Sequence, residues 1–306
     1  MSKKTEGQIL SLLHLGYSIQ NRDVSMELYS EKMNAENCRT QRSEAPYLGK
    51  VNGVNDAVAD LAFINYATNR PMIELLEFVN PKDILREYRP GEPAFSQIGF
   101  RTADIKACFE DFTAKGYEPL KPIQCIDYGY GKGKESFLLK DSNNMYVQIV
   151  QAEESVQGDG RIIDHDHLVL SVPNIEETID VFRELLCFEI EIEDVSKSDY
   201  LASICDKPIS RVAICKSRLE DYTVELWETE GAGDVEDIYI SASGSLHLCF
   251  LCQGIDDLYE KFSNVGMRFV NEPVLVTSGA NEGAKAIFFH APGYLWIELM
   301  CRKDRL

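Results

Sequence analysis

Eight residues suited to metal chemistry recur at regular places in this chain. An imidazole or amide opens an apolar stretch at His14, Gln97, His167 and His247. An acid or amide interrupts a later apolar stretch at Glu74, Gln148, Glu225 and Glu298. Imidazole nitrogens and carboxylate oxygens together suit borderline divalent cations, and a carboxylate beside such a cation can also move a proton. Burying a carboxylate inside an apolar strand is costly unless it is paired or metal-bound. The plainer alternative is a set of satisfied polar side chains inside a barrel.

The opening residues sit in one phrase written four times, as HLGYSIQN from His14, QIGFRTAD from Gln97, HLVLSVPN from His167 and HLCFLCQG from His247. The closing residues sit in MIELLE, YVQIVQ, TVELWE and WIELMC. Such self-similarity marks tandem structural units. The modules run over about Ile9–Asn80, Glu92–Glu153, Ile163–Glu230 and Ser243–Arg302. HLVLSV alternates, so Leu168, Leu170 and Val172 share one strand face while His167 takes the other. Asn174 is placed as a helix N-cap before an apolar stripe of Ile175, Ile179, Phe182 and Leu186. The fourth module repeats the stripe with Ile255, Leu258, Phe262 and Val265, the second with Ile105, Cys108 and Phe112. Each module therefore reads β-α-β-β-β. A helix covering the apolar face leaves the opening imidazole and the closing carboxylate on the opposite face, where they converge on one cavity.

Composition narrows the class. At 306 residues, 44% hydrophobic and 26% charged, the chain describes a two-domain globular protein. No apolar run reaches the roughly 20 residues of a membrane span, and the amino terminus lacks a signal-type apolar stretch, so a cytoplasmic location is expected. Nine cysteines, with Cys249 and Cys252 as one CFLC pair on a strand, read as reduced core fillers. A net charge of −19 excludes general affinity for nucleic acid or anionic lipid. It keeps the protein soluble, or it favours a cationic ligand. The expected partner is a small-molecule substrate, in a monomer or homodimer. The loop EESVQGDGR separates two expected halves, residues 1–155 and 160–306.

These phrases, with the helix openings VPNIEETIDVF and GIDDLYEKF, the closings VELWE and HAPGYLWIELM, and the segment from YLGKVNG to MIELLEF, resemble the vicinal oxygen chelate superfamily. That superfamily includes glyoxalase I, methylmalonyl-CoA epimerase, extradiol dioxygenases and the fosfomycin and bleomycin resistance proteins. The resemblance implies an α+β fold of four tandem modules in two pseudo-symmetric halves, each an open, cupped mixed sheet with helices outside. It implies that two modules share one cup and one metal. On that basis the C-terminal half offers His167, Glu225, His247 and Glu298 as ligands of one divalent ion, Zn, Ni, Mn or Fe(II). The N-terminal set of His14, Glu74, Gln97 and Gln148 reads as degenerate, because two amides lower its charge. His165, two residues before His167, is a rival ligand or a rim residue, and His290 reads as structural.

The chemistry the resemblance implies is metal-assisted proton transfer next to a carbonyl, as in glyoxalase-like isomerases, lyases and epimerases, with Glu298 or Glu225 as the base. Two alternatives stand beside it. One is an extradiol-type ring-cleaving dioxygenase. The other is a metal-free resistance protein that binds a planar cationic drug through Tyr128, Tyr130, Tyr222 and Tyr239.

Overall fold

The computed structural model describes residues 6–44, 46–66, 71–82, 85, 89–92, 94–153, 157–229, 239–292 and 295–306. Part of the loop EESVQGDGR, and Gly293 and Tyr294 of the HAPGY segment, lie outside these residues. The first module comprises β1 (Gln8–Ile19), α1 (Arg22–Met26) continued by a wider turn over Glu27–Lys32, β2 (Asn37–Ser43), α2 (Pro46–Asn52), β3 (Val58–Asn65) and β4 (Met72–Asn80). The second has β5 (Ser96–Thr102), α3 (Ile105–Ala114), β6 (Gln124–Cys125), β7 (Glu135–Lys140) and β8 (Tyr146–Gln151). The third has β9 (Ile162–Val172), α4 (Ile175–Asp180) continued over Val181–Leu185, β10 (Phe188–Asp194), α5 (Asp199–Ile204), β11 (Ile209–Ser217) and β12 (Thr223–Thr229). The fourth has β13 (Leu246–Gln253), α6 (Ile255–Asn264), β14 (Arg268–Phe269), β15 (Val274–Leu275), β16 (Lys285–Ala291) and β17 (Leu295–Cys301). The second module has the expected order; the first and third insert α2 and α5, and the fourth adds the two-residue strand β15.

Local physics explains the helix starts. The last residue of each eight-residue phrase stands at a helix N-cap: Asn21, Asp104, Asn174 and Gly254. The Asn and Asp side chains accept bonds from the N–H groups of the first turn, as at Val24, Lys106 and Glu176. The stripes Ile175, Ile179, Phe182, Leu186 and Ile255, Leu258, Phe262 are buried as expected. Val265 is exposed instead, because α6 stops at Asn264 and Gly266, at φ +92°, turns the chain away.

The modules do not pair by sequence halves. One mixed sheet runs β14-β16-β17-β13-β1-β4-β3-β2, with β15 against β16, and joins the first module to the fourth. The other runs β10-β11-β12-β9-β5-β8-β7-β6 and joins the third to the second. The seams are the antiparallel pairs β1 with β13 and β5 with β9. Residues 1–155 and 160–306 thus each contribute one module to each sheet, which corrects the expected halves. One large core, including Leu168, Phe182, Phe100 and Phe250, binds the helices to the apolar faces of both sheets. A smaller apolar cluster lies inside each crevice, around Leu61 and Phe288 in one and Tyr128 and Trp227 in the other.

Candidate metal centre

The β1–β13 seam brings together His14, Glu74, His247 and Glu298, all buried, with one ligand atom from each within 4.8 Å of every other. His14 Nε2 lies 3.0 Å from Glu74 Oε2, 3.4 Å from Glu298 Oε2 and 3.1 Å from His247 Nε2. His247 Nε2 lies 3.6 Å from both carboxylates. A divalent ion with bonds of about 2.1 Å holds neighbouring donors about 3.0 Å apart in octahedral and about 3.4 Å apart in tetrahedral geometry. The observed spacings match that size, and two imidazoles with two carboxylates are the right donor chemistry. The residues therefore fit a divalent cation.

Backbone register explains the convergence. Gly16 stands opposite His247 across the seam, and a β-carbon on it would lie 1.8 Å from His247 Cε1. The glycine is the space into which the imidazole folds. A register shift between Leu12 and His14 lets Leu13 line the crevice beside His14. Burial opposes a charged His14 ring, but the neighbouring Cys249, Glu74 and Glu298 outweigh it and raise its pKa well above the ordinary value. Burial alone would push the Glu74 carboxyl up, yet His14 and His247 hold it well below the usual carboxylate range. Both shifts report a centre that stabilises positive charge.

The structure thus divides the ligand set carried over from the resemblance. His247 and Glu298 meet His14 and Glu74, whereas His167 and Glu225 lie in the other sheet with Gln97 and Gln148. In that second crevice His167 Nε2 lies 2.8 Å from Gln148 Oε1, which also accepts from Gln97 Nε2 at 2.9 Å. Gln148 Nε2 donates to the Tyr200 hydroxyl at 2.8 Å, which bonds Ser136 at 3.0 Å. Glu225 accepts from the Tyr130 backbone N–H and from Trp227 Nε1 at 3.3 Å. Burial pushes the Glu225 carboxyl up despite these bonds and His167. The buried Gln97 Oε1 has no partner among the described residues.

Space separates the two crevices more sharply than their donors do. The first encloses a cavity of about 230 Å³ bordered by α2 through Tyr47, Leu48 and Val51. The second retains about 10 Å³ around His167 and Glu225. Loops 126–134 and 276–284 fold alike, with Ile126 and Val276 each bonded to the residue eight positions on, Lys134 and Ala284. Tyr128 and Tyr130 in one correspond to Ser278 and Ala280 in the other. The two tyrosines and Tyr200 of α5 plug the second crevice.

Other expectations change as well. Register shifts between Gly99 and Phe100, opposite His167 and His165, so His165 leaves the His167 face. It packs on Phe100 and meets the Tyr222 hydroxyl at 3.0 Å, inside the core. The skipped residue, Asp166, bonds His167 Nδ1 at 2.7 Å and accepts from the Tyr130 hydroxyl at 2.9 Å. Its role had no signal in the alternation pattern. Of the tyrosines considered for a planar drug, Tyr128 and Tyr222 are buried, Tyr130 is half-buried and Tyr239 is exposed. They form no common platform. His290 lies edge-on to Trp296 with ring centroids 4.8 Å apart, away from both crevices.

Residues 165–299 match the Glyoxalase/Bleomycin resistance protein/Dioxygenase superfamily. Glyoxalase I from Zea mays superposes with a TM-score of 0.67 over 97% of this chain and 94% of its own, at 13% identity. A putative dioxygenase from Bacillus subtilis superposes with a TM-score of 0.61 over 96% and 86%, at 11% identity. No curated protein sequence matches the chain. The solved structures share the fold, and the family match spans the third module and most of the fourth.

Proposed function

We propose that the protein is a divalent-metal-dependent isomerase or lyase of the glyoxalase type, with a single working site at His14, Glu74, His247 and Glu298. The observation that carries this is the buried two-imidazole, two-carboxylate cluster with cation-sized spacing, opening on a cavity. A divalent ion bound there supplies Lewis acidity toward vicinal substrate oxygens. The chain supplies the rest. Phe63, Leu61 and Phe288 border the cavity and exclude water from the reacting carbon. Glu74 has the shorter contact to His14, 3.0 Å against 3.4 Å for Glu298. That leaves Glu298 as the carboxylate that takes a proton from the carbon beside the carbonyl and returns it to the neighbouring one. The imidazoles of His14 and His247 hold both carboxylates in position.

The four-donor set favours isomerisation over ring cleavage. With His14, Glu74, His247 and Glu298 all as donors, a divalent ion would have room for a bidentate substrate but not for oxygen as well. The test is metal content of the purified protein beside His14→Ala, His247→Ala and His167→Ala, followed by deuterium incorporation into α-hydroxycarbonyl compounds in heavy water. One divalent ion per chain, lost in the first two variants and kept in the third, with metal-dependent exchange, is the expected result. Oxygen uptake with catechols in place of exchange would assign the dioxygenase reaction instead. Stripping the ion with a chelator is expected to lower the thermal midpoint, because a ligand at about 1,000 times its Kd stabilises the folded state by about 4 kcal/mol.

A further inference from the structure

We infer that the cavity selects a substrate with an anionic group at one end, clasped by Arg39 and Arg302 while its vicinal oxygens face the His–Glu cluster. This rests on the metal reading above and names the substrate class. The chain holds 50 acidic and 31 basic residues, yet among the described residues the only acids lining this cavity are Glu74 and Glu298. A divalent ion would neutralise that pair. The other charged groups bordering the space are Arg39 and Arg302, both exposed at its rim.

Neither arginine has a carboxylate partner among the described residues, whereas Arg42, Arg101 and Arg211 pair with Asp60, Asp164 and Glu228. An unpaired arginine is the less expected state in so acidic a chain. The Arg39 guanidinium lies 4.4 Å over the Phe63 ring, which fixes its plane and leaves its N–H edge open for a bidentate anion. The rest of the rim offers neutral donors such as Gln41, Asn52 and Asn281.

Register sets the size of the ligand. Arg39 stands opposite Phe63, which stands opposite Glu74, so two strand spacings, about 10 Å, separate its backbone from that of the ligand glutamate. Arg302 follows Glu298 by four residues, about 13 Å of extended chain, and lines the same space as Met300 and Glu298. Both arginines line the same cavity as the cluster, so the anion belongs at the far end of a ligand on the order of 10 Å long. The net charge of −19 gives an anion no long-range attraction, and screening limits that field to about 8 Å at physiological ionic strength. Local arginines then decide selectivity.

The test uses full-length protein loaded with Ni²⁺ and hydroxamate chelators carrying, on the same methylene chain, a terminal carboxylate, phosphonate or amide. Isothermal titration is expected to show the carboxylate binding about tenfold more tightly than the amide. In Arg39→Met, Arg302→Met and the double variant the preference falls toward unity while amide affinity is unchanged. A phosphonate preferred over the carboxylate supports the clasp and assigns its anion. Equal affinity for carboxylate, phosphonate and amide in the native protein overturns the inference, and so does a preference that survives in the double variant. Failure of the metal reading looks different: the amide-tailed hydroxamate also fails to bind, and the inference falls with it.

Discussion

Replacing Gly16 by alanine is expected to cost the protein its metal while leaving all four candidate ligands in the sequence. A β-carbon at position 16 would meet three ring atoms of His247, at 1.8, 2.2 and 2.3 Å. Ordinary contact begins at 3.4 Å, so the ring must move by about 1.6 Å. It has little room to do so. The His247 ring lies edge-on to Phe288 at 5.1 Å and to His14 at 5.2 Å between centroids. A shift of that size carries Nε2 out of a cluster whose spacings span 3.0–3.6 Å. Misplacement of about 1 Å in such a site costs roughly 100-fold, equivalent to about 2.7 kcal/mol of metal affinity.

Gly99→Ala is the control. Its β-carbon would lie 1.9 Å from Cε1 of His167, the same collision in the plugged crevice. Both variants should lose about 1–3 kcal/mol of stability through overpacking. Only Gly16→Ala should lose affinity in a competition titration against a chromogenic zinc chelator, with circular dichroism confirming the fold. If Gly99→Ala loses the metal and Gly16→Ala keeps it, the working site has been placed in the wrong sheet. If both retain native affinity, His247 is not a ligand and the convergence at the β1–β13 seam has no metal-binding role.

Two further outcomes concern the plugged crevice. Tyr128→Ser installs the residue found at the matching loop position 278 and removes a buried ring packed on Trp227 and Tyr200; it should cost about 3–5 kcal/mol. An unchanged urea midpoint would show that the ring is not what closes this site. Asp166→Asn tests linkage: burial raises the Asp166 pKa, but His167, Arg101 and Tyr130 outweigh it and hold the carboxyl below its ordinary value. A depressed carboxylate contributes stability above its unfolded pKa of about 3.9, and that contribution is lost as pH falls through the folded value. The variant should therefore lose about 3 kcal/mol near neutrality, with the gap in urea stability narrowing as the pH falls below about 4. A gap independent of pH would mean that charge is not what Asp166 contributes.

Much of this architecture is legible in local sequence, because the signals are themselves local. The eight-residue phrase fixes where each opening strand ends and its helix begins, since its last residue is the N-cap. Strict alternation separates Leu168 and Leu170 from His167 and puts Glu225 and Glu298 on cavity faces. Alternation fails wherever the backbone departs from period two. The shift beside His167 moves His165 into the core and delivers Asp166 to the site, and an unbroken alternation from His167 assigns both to the wrong faces. Crevice volume is likewise set by non-local packing: nothing in a loop's own pattern reveals that Tyr128 and Tyr130 turn inward while Ser278 and Ala280 leave a cavity.

Module pairing is the non-local fact that matters most, and it does leave a trace in the sequence. Across an antiparallel seam, an opening histidine lies over the residue two places after the partner's opening residue: His247 over Gly16, and His167 over Gly99. The first and second modules carry that glycine, whereas the third and fourth carry Val169 and Cys249. Across the β1–β13 seam His14 stands opposite Cys249, so one glycine suffices; a seam between the third and fourth modules in this register would have none, with His247 opposite Val169 and His167 opposite Cys249. The contact distances at Gly16 and Gly99 show that not even a β-carbon is tolerated there. A two-histidine site thus needs one partner with glycine at that place and one with histidine at the phrase start. The first module, the only copy of the phrase with both His and Gly, can meet the fourth to make a site with two imidazoles. The second module, which opens with Gln97, cannot make one with the third. The complementarity of Gly16 with His247 therefore selects which of the four copies assemble a cation site, and that selection depends on packing across the seam rather than on proximity along the chain.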